Sequence, residues 1–186
     1  ASDVYKRQDT TVEEIIELSG TSKGSFYHYF DGKDALLSTL SSLFDEKYEE
    51  LTGLLTPEMT AMEQLLFLNR ELFHMIEDSI SLDLLARLYS TQLTTNGEKH
   101  LLDHNRIYYK LLRKIIAKGQ AEGQLSSRSN VNEMVKLYAL CERALLYDWC
   151  LCAGEYALTE YSAKVLPGFL SSFLPCLLYT SPSPRD

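Results

Sequence analysis

The side chains with the most to offer chemically stand together in Ser22-Lys23-Gly24-Ser25-Phe26-Tyr27-His28-Tyr29. If this run is helical, Phe26 and Phe30, four apart, point together into a core. Ser25, Tyr27, His28 and Tyr29 then fall on other faces. Hydroxyls and an imidazole presented there reach phosphate oxygens and base edges: phosphate contacts fix position, and base-edge contacts carry sequence information. The chemistry of this run is recognition.

The elements that must position those side chains are legible on either side of them. Thr11-x-x-Glu14 is a capping box, in which hydroxyl and carboxylate satisfy the free N–H groups of a helix start. Val12, Ile15, Ile16 and Leu18 supply an apolar stripe at helical spacing, and Gly20 stops the helix where a Cβ resists the required conformation. Thr21 and Ser22 offer a second N-cap, followed by about two aromatic-rich turns from Lys23 to Phe30. Helix, short turn containing glycine, second short helix: this is a helix-turn-helix pattern.

The ordered string SKGSFYHYFDGKDALL closely resembles the recognition helix and the start of the next helix in the tetracycline-repressor (TetR) family of transcriptional regulators. The resemblance implies an all-α fold, with a DNA-binding head and a helical body that binds ligand and dimerises. It also implies operator double-stranded DNA as partner, with Thr11, Ser22, Lys23, Gly24, Ser25, Tyr27, His28, Tyr29 and Lys33 facing the duplex. Carried over from the family pattern, Tyr27, Tyr29 and Lys33 are backbone clamps, and Ser25 and His28 lie closer to base edges. Gly24 costs helix stability but lets the backbone approach a DNA strand.

Both ends are expected to be non-native. Asp3 to Gln8 can be written GAT GTG TAT AAG AGA CAG, and the reverse complement, read one base out of phase, encodes Cys176 to Ser181. Residues 1–8 and 176–186 thus look like translated sequencing adaptor, to be set aside from fold reasoning. On this expectation the native sequence starts at Asp9 and lacks the family's first helix, so that the chain as it stands binds operator poorly. The expected divisions are 9–50 for the incomplete head with its connecting helix and 51–175 for the body.

The net charge is −8; removing Lys6, Arg7 and Asp3 at one end and the balanced Arg185 and Asp186 at the other leaves about −9. An acidic total argues against a non-specific nucleic-acid coat, though not against an acidic body carrying a small DNA-reading head. Asp9 to Leu37 holds only Lys23 and Lys33 against six carboxylates, so the positive charge is expected in the absent helix. There is no secretory signal and no apolar run long enough to span a bilayer, which predicts a cytoplasmic protein without a membrane partner. Cys141, Cys150 and Cys152 are expected as reduced core thiols.

Six further helices are predicted. One starts near Lys33, with Ala35, Leu36, Leu37, Leu40, Leu43 and Phe44 inward, Asp45, Glu46, Glu49 and Glu50 wet, and a break from Thr52 to Pro57. The next runs from Glu58 to Asp78 with Pro57 at its entry, apolar around much of its circumference and hence central. A shorter helix from Ser81 to Gln92, a turn at Asn96-Gly97 and a helix from Glu98 to Gly119 follow. Val131–Cys152 and Leu158–Leu174 close the chain, the latter kinked at Pro167-Gly168. These last two carry more apolar surface than one neighbour covers, and the resemblance makes residues 131–174 a homodimer interface, to be broken by Leu145→Glu or Trp149→Glu.

Catalytic constellations are poor: there is no phosphate loop, nucleophile elbow or HExxH, and no cofactor motif, so no enzyme is expected. His100 and His104 lie four apart, a spacing that suits a metal, but a solvated helix start accounts for them and no metal site is assigned. The resemblance places a small-molecule effector inside the body, and Phe67, His74, Tyr89, Tyr108, Tyr138 and Trp149 are the candidates to line its pocket. A ligand-responsive dimeric repressor is the leading reading. The alternative is an all-helical ligand-binding or dimerising module without DNA-binding activity, which the acidic head permits.

Overall fold

In the computed structural model, residues 33–94 and 99–175 are described, and among them every regular element is helical. The elements are α1 (Lys33–Leu54), α2 (Ala61–Ser79), α3 (Leu82–Thr94), a 3-10 turn (His100–Leu102), α4 (Ile107–Ala121), α5 (Val131–Leu151), α6 (Leu158–Leu170) and a 3-10 turn (Ser171–Phe173). The DNA-facing candidates Thr11, Ser22, Lys23, Gly24, Ser25, Tyr27, His28 and Tyr29, and the turn at Asn96-Gly97, lie outside the described residues. Lys33 opens α1.

α2 packs against α1, α4 and α6, and α5 against α3, α4 and α6. Position in the core follows helical spacing. Leu65, Leu68, Leu72, Phe73 and Ile76 on α2 are buried, as are Leu40, Phe44, Tyr48 and Leu51 on α1. Asp45 departs from the wet face expected for it, because Arg106 reaches across from the start of α4 to bind it. α1 runs through the expected break at Thr52 and ends at Leu54.

Helix starts are set by caps. Instead of beginning at Glu58, α2 begins after Thr60, whose hydroxyl accepts from Glu63 N while Glu63 accepts from Thr60 N. Asn130 and Glu133 form the same reciprocal pair before α5. α6 has no such residue of its own. Glu77 of α2 supplies the cap instead, accepting from Leu158 N, from Thr159 N at 2.9 Å and from the Thr159 hydroxyl. A carboxylate on the unpaired N–H groups of a helix start satisfies hydrogen bonds and dipole together.

The helix expected from Glu98 starts later, at Ile107. His100 sits in the preceding 3-10 turn, so His100 and His104 share no helix face. The His104 ring instead stacks 4.6 Å from Tyr109. Trp149 is also placed differently from expectation. It is buried within the chain, its indole N–H donates to Tyr156 O at 2.9 Å, and Gly154, at φ +72°, folds back so that its N–H bonds Trp149 O. Leu145 is buried as well, so Leu145→Glu and Trp149→Glu strike the core, not an outer face.

Gly119 lies where α4 crosses the start of α2, and a Cβ there meets Ala61 Cβ at 2.6 Å and Leu125 Cδ1 at 2.8 Å. Gly53, in the last turn of α1, has nothing within 4 Å of the same position. Gly119→Ala should therefore cost about 1–3 kcal/mol through overpacking, while Gly53→Ala should gain about 0.5–1 kcal/mol by lowering unfolded-chain entropy. Urea titrations of the two variants against the parent check both signs.

Candidate functional site

At the meeting of α1, α2, α3, α4 and α5 lies a cavity of about 60 Å³, lined in part by Phe44, Tyr48, Leu72, Ile76, Leu85, Leu88, Tyr89, Tyr108, Leu146, Arg106, Glu142 and Arg143. Its walls are mostly aliphatic and aromatic, with a few polar groups converging, which is the composition of a small-molecule site.

Glu142 is the polar centre. It is 4% exposed, and its two oxygens are both occupied: Oε1 accepts from Asn69 Nδ2 at 2.9 Å and Oε2 from the Tyr108 hydroxyl at 2.6 Å. Asn69 Oδ1 in turn accepts from the Ser162 hydroxyl. One carboxyl thereby joins α2, α4, α5 and α6. The Tyr48 ring lies 5.0 Å from that of Tyr108 and adds α1. Burial pushes the Glu142 carboxyl above its ordinary value of 4.5, against the opposing pull of the Tyr108 and Asn69 hydrogen bonds and the nearby Arg143. Burial, reinforced by Glu142, holds Tyr108 and Tyr138 well above the usual phenol range, and Tyr48 likewise.

Two arginines stand at the cavity wall. Arg106 precedes α4, and its Nη2 donates to Asp45 Oδ1 at 3.0 Å and to Ser41 O at 3.1 Å, both on α1. Its Nε also bonds the same carboxylate, so the guanidinium grips α1 in a fork. Arg143 Nη1 donates to the Tyr109 hydroxyl at 3.2 Å, and that hydroxyl donates to Leu101 O at 2.8 Å.

Of the residues expected to line the pocket, Tyr89 and Tyr108 do. Tyr138 is fully buried close by, its hydroxyl donating to Leu65 O. Phe67 lies elsewhere, in an open groove between α2 and α6 with Leu66, Arg70 and Pro167. Trp149 closes the turn after α5 instead of reaching the cavity. His74 is neither core nor pocket: it sits on the outer face of α2, about 63% exposed, with Nδ1 3.2 Å from Asp78. Periodicity explains the difference, since the buried face runs through Leu65, Leu68, Leu72 and Ile76 and position 74 falls opposite it.

Glu142, Arg106, Arg143 and Tyr48 are cavity residues that sequence reasoning missed. A signal for Glu142 exists. Val135, Tyr138, Glu142, Leu145 and Trp149 recur at spacings of three and four, which puts the carboxyl on the apolar face of its own helix. Cys141 is buried and Cys150 and Cys152 half-buried, all three free, and burial pushes the Cys141 thiol up to about 11. Thiolate chemistry near neutral pH has no support there.

A raised folded-state pKa means that the folded chain holds the Glu142 proton more tightly than the unfolded one. Its contribution to stability is then full below about pH 4.5 and is lost as pH rises through the folded value. Glu142→Gln should remove this dependence. Urea midpoints should show the variant gaining on the parent from pH 4.5 to pH 8; a difference that stays flat across that range would rule out burial of a titrating carboxyl.

Residues 8–40 match the model of bacterial regulatory proteins of the tetR family. Among solved structures, the chain is similar to a transcriptional regulator FadR from Bacillus subtilis in complex with stearoyl-CoA, at 20% identity and a TM-score of 0.64, covering 87% of each chain. No curated protein matches the sequence.

Proposed function

We propose that this chain is a transcriptional regulator of the tetR family, supported by the match over residues 8–40, that it binds operator DNA as a homodimer and that it is released by a small-molecule effector held in the cavity around Glu142. The observation that carries the effector half is the shared wall. Phe44 and Tyr48 of α1 line the cavity, and Arg106 at its edge grips Asp45 and Ser41 on the same helix. α1 begins at Lys33, inside the matched segment, so a ligand that displaces this wall moves the helix that leads from the DNA-binding residues. Room for only a few water molecules means that any larger ligand must displace something. The tie to α1 then sets the coupling, and the ligand acts by favouring the displaced state.

The wide groove beside Phe67 is the weaker effector site. It is open to solvent and bounded by α2 and α6, away from α1. No enzyme activity is proposed, because the convergent polar groups are spent on one another. Among the described residues, no helix is long and apolar enough to cross a membrane, in keeping with a cytoplasmic regulator.

The homodimer rests on the outer surface of the last two helices. Seven of the ten exposed large apolar side chains among the described residues fall within 131–174. Leu137, Leu140, Tyr147 and Leu151, with Ala144 between them, form an outward stripe on α5 at alternating steps of three and four. That is the spacing of a helix seam, and an obligate pairing there should bury on the order of 2,000 Å² or more. Leu140→Glu combined with Leu151→Glu should yield folded monomers by sedimentation. A double variant that stays dimeric would remove residues 131–174 as the interface.

DNA binding rests on residues 8–40, with Thr11, Ser22, Lys23, Gly24, Ser25, Tyr27, His28, Tyr29 and Lys33 as the proposed contacts. Fluorescence anisotropy on the gene's upstream DNA tests it. Lys33→Ala should weaken binding to all sequences and flatten the salt dependence by about one ion. Ser25→Ala or His28→Ala should change preference at particular operator positions, by about 1–3 kcal/mol for each well-formed base pairing removed. Absence of any sequence-selective complex would favour a ligand-binding or dimerising module without DNA function.

A further inference from the structure

The cavity's polar groups differ in how fully they are used. Glu142 has a donor on each oxygen, and Arg106 is neutralised by Asp45. Arg143 is the exception. Its hydrogen bond goes to the neutral Tyr109 hydroxyl, and among the described residues it makes no ion pair. Its neighbour Glu142 is close enough to feel that charge but forms no ion pair with it, each of its oxygens already accepting from Asn69 or Tyr108. Tyr89 and Tyr109, on α3 and α4, also face Arg143, and both are held above the usual phenol range by burial, hence neutral. The result is a mostly apolar chamber with one guanidinium at its wall that, among the described residues, has no ion-pair partner.

Resting on the reading of this cavity as the effector site, we propose that it takes a small amphiphile whose carboxylate pairs with Arg143 and whose apolar body lies along Leu72, Ile76, Leu85 and Leu88. A carboxylate fits a guanidinium fork in two parallel hydrogen bonds, and in a low-dielectric chamber such a pair outweighs contact with a neutral hydroxyl. The aliphatic side chains of α2 and α3 supply the body's surroundings. A cationic head meets Arg143 with like charge and finds each Glu142 oxygen already accepting from Tyr108 or Asn69. The body exceeds the present 60 Å³, so its entry presses on the Phe44 and Tyr48 wall. Anion recognition and displacement of α1 become one event.

Three probes of one chain length separate the possibilities: octanoate, octanol and octylammonium, titrated by calorimetry into the full 186-residue chain at pH 7. Octanoate should bind at one site per chain, about tenfold more tightly than the other two, the equivalent of about 1.4 kcal/mol. Arg143→Gln should bring octanoate and octanol to within about twofold of each other. Arg143→Lys, which keeps the charge and loses the fork, should retain a clear preference for octanoate; this guards against a Gln variant that merely misfolds. Octanol or octylammonium binding as tightly as octanoate overturns the assignment of an anionic ligand and leaves the cavity as effector site standing. An octanoate preference unchanged in both Arg143 variants overturns the anchor. Binding of none of the three to a chain shown to be helical and folded by circular dichroism removes the cavity reading, and this proposal with it.

Discussion

A carboxyl buried at the centre of a helical body is the constraint on which the rest of this structure depends. Left unpaired, Glu142 is among the costliest groups a core can hold, and that cost fixes its surroundings. Asn69 must present its amide from α2 and Tyr108 its hydroxyl from α4, each within hydrogen-bond distance. Asn69 is then held by Ser162 of α6. Aliphatic contacts tolerate a sliding helix, because one methyl replaces another at little cost. A saturated carboxyl does not, since a shift of about 1 Å unmakes a bond that nothing else in the core replaces. The network therefore sets the register of four helices against one another.

The same logic recurs at the helix ends. α6 is preceded by Ala157, which has no capping side chain, so Glu77 completes its start from α2. The first N–H of α2 donates to Gln124 Oε1, beyond the end of α4, at 2.7 Å. Each such bond joins elements far apart in sequence, and each breaks if its helices separate. α1 is attached differently. Its buried face packs on α2 and α4, but its polar tie is the Arg106 fork, at the cavity edge and partly reachable by water. A fork of this kind can be released without breaking the Glu142 network. The body is thus built from one region that resists rearrangement and one helix fastened at the edge of the cavity proposed for the effector.

How much of this is legible in the sequence depends on how local the signal is. The all-helical class, the number of helices and the centrality of α2 follow from periodicity, and the described residues bear them out. The start of α2 falls later than expected because Thr60-x-x-Glu63 outweighs Pro57 as a start signal, although the capping box is equally readable. The late start of α4 is not readable in the same way: the 3-10 turn at His100 ends in backbone bonds, and Arg106 holds its place through α1. Asp45 escapes a local reading because charge normally means solvent, and for Glu142 the spacing on α5 shows an apolar face but not what satisfies a carboxyl there. Each is made tolerable by a partner more than thirty positions away, which no local pattern announces.

α5 shows how one helix carries two assignments. Its inner face, through Tyr138, Glu142, Leu145 and Trp149, belongs to the core, and its outer stripe, through Leu140, Tyr147 and Leu151, faces out. Composition reveals that both faces are apolar but not which is which; chain packing decides, by closing Trp149 against the turn at Gly154. The division has a functional consequence. The helix that holds Glu142 and Arg143 also presents the surface proposed for a second subunit, with one turn of helix advancing only about 5.4 Å between equivalent positions. On the proposed reading, a ligand drawn to Arg143 sits against the element common to both subunits' boundary and the α1 wall, so pairing and effector binding are mechanically linked through α5 rather than through the helices at either end.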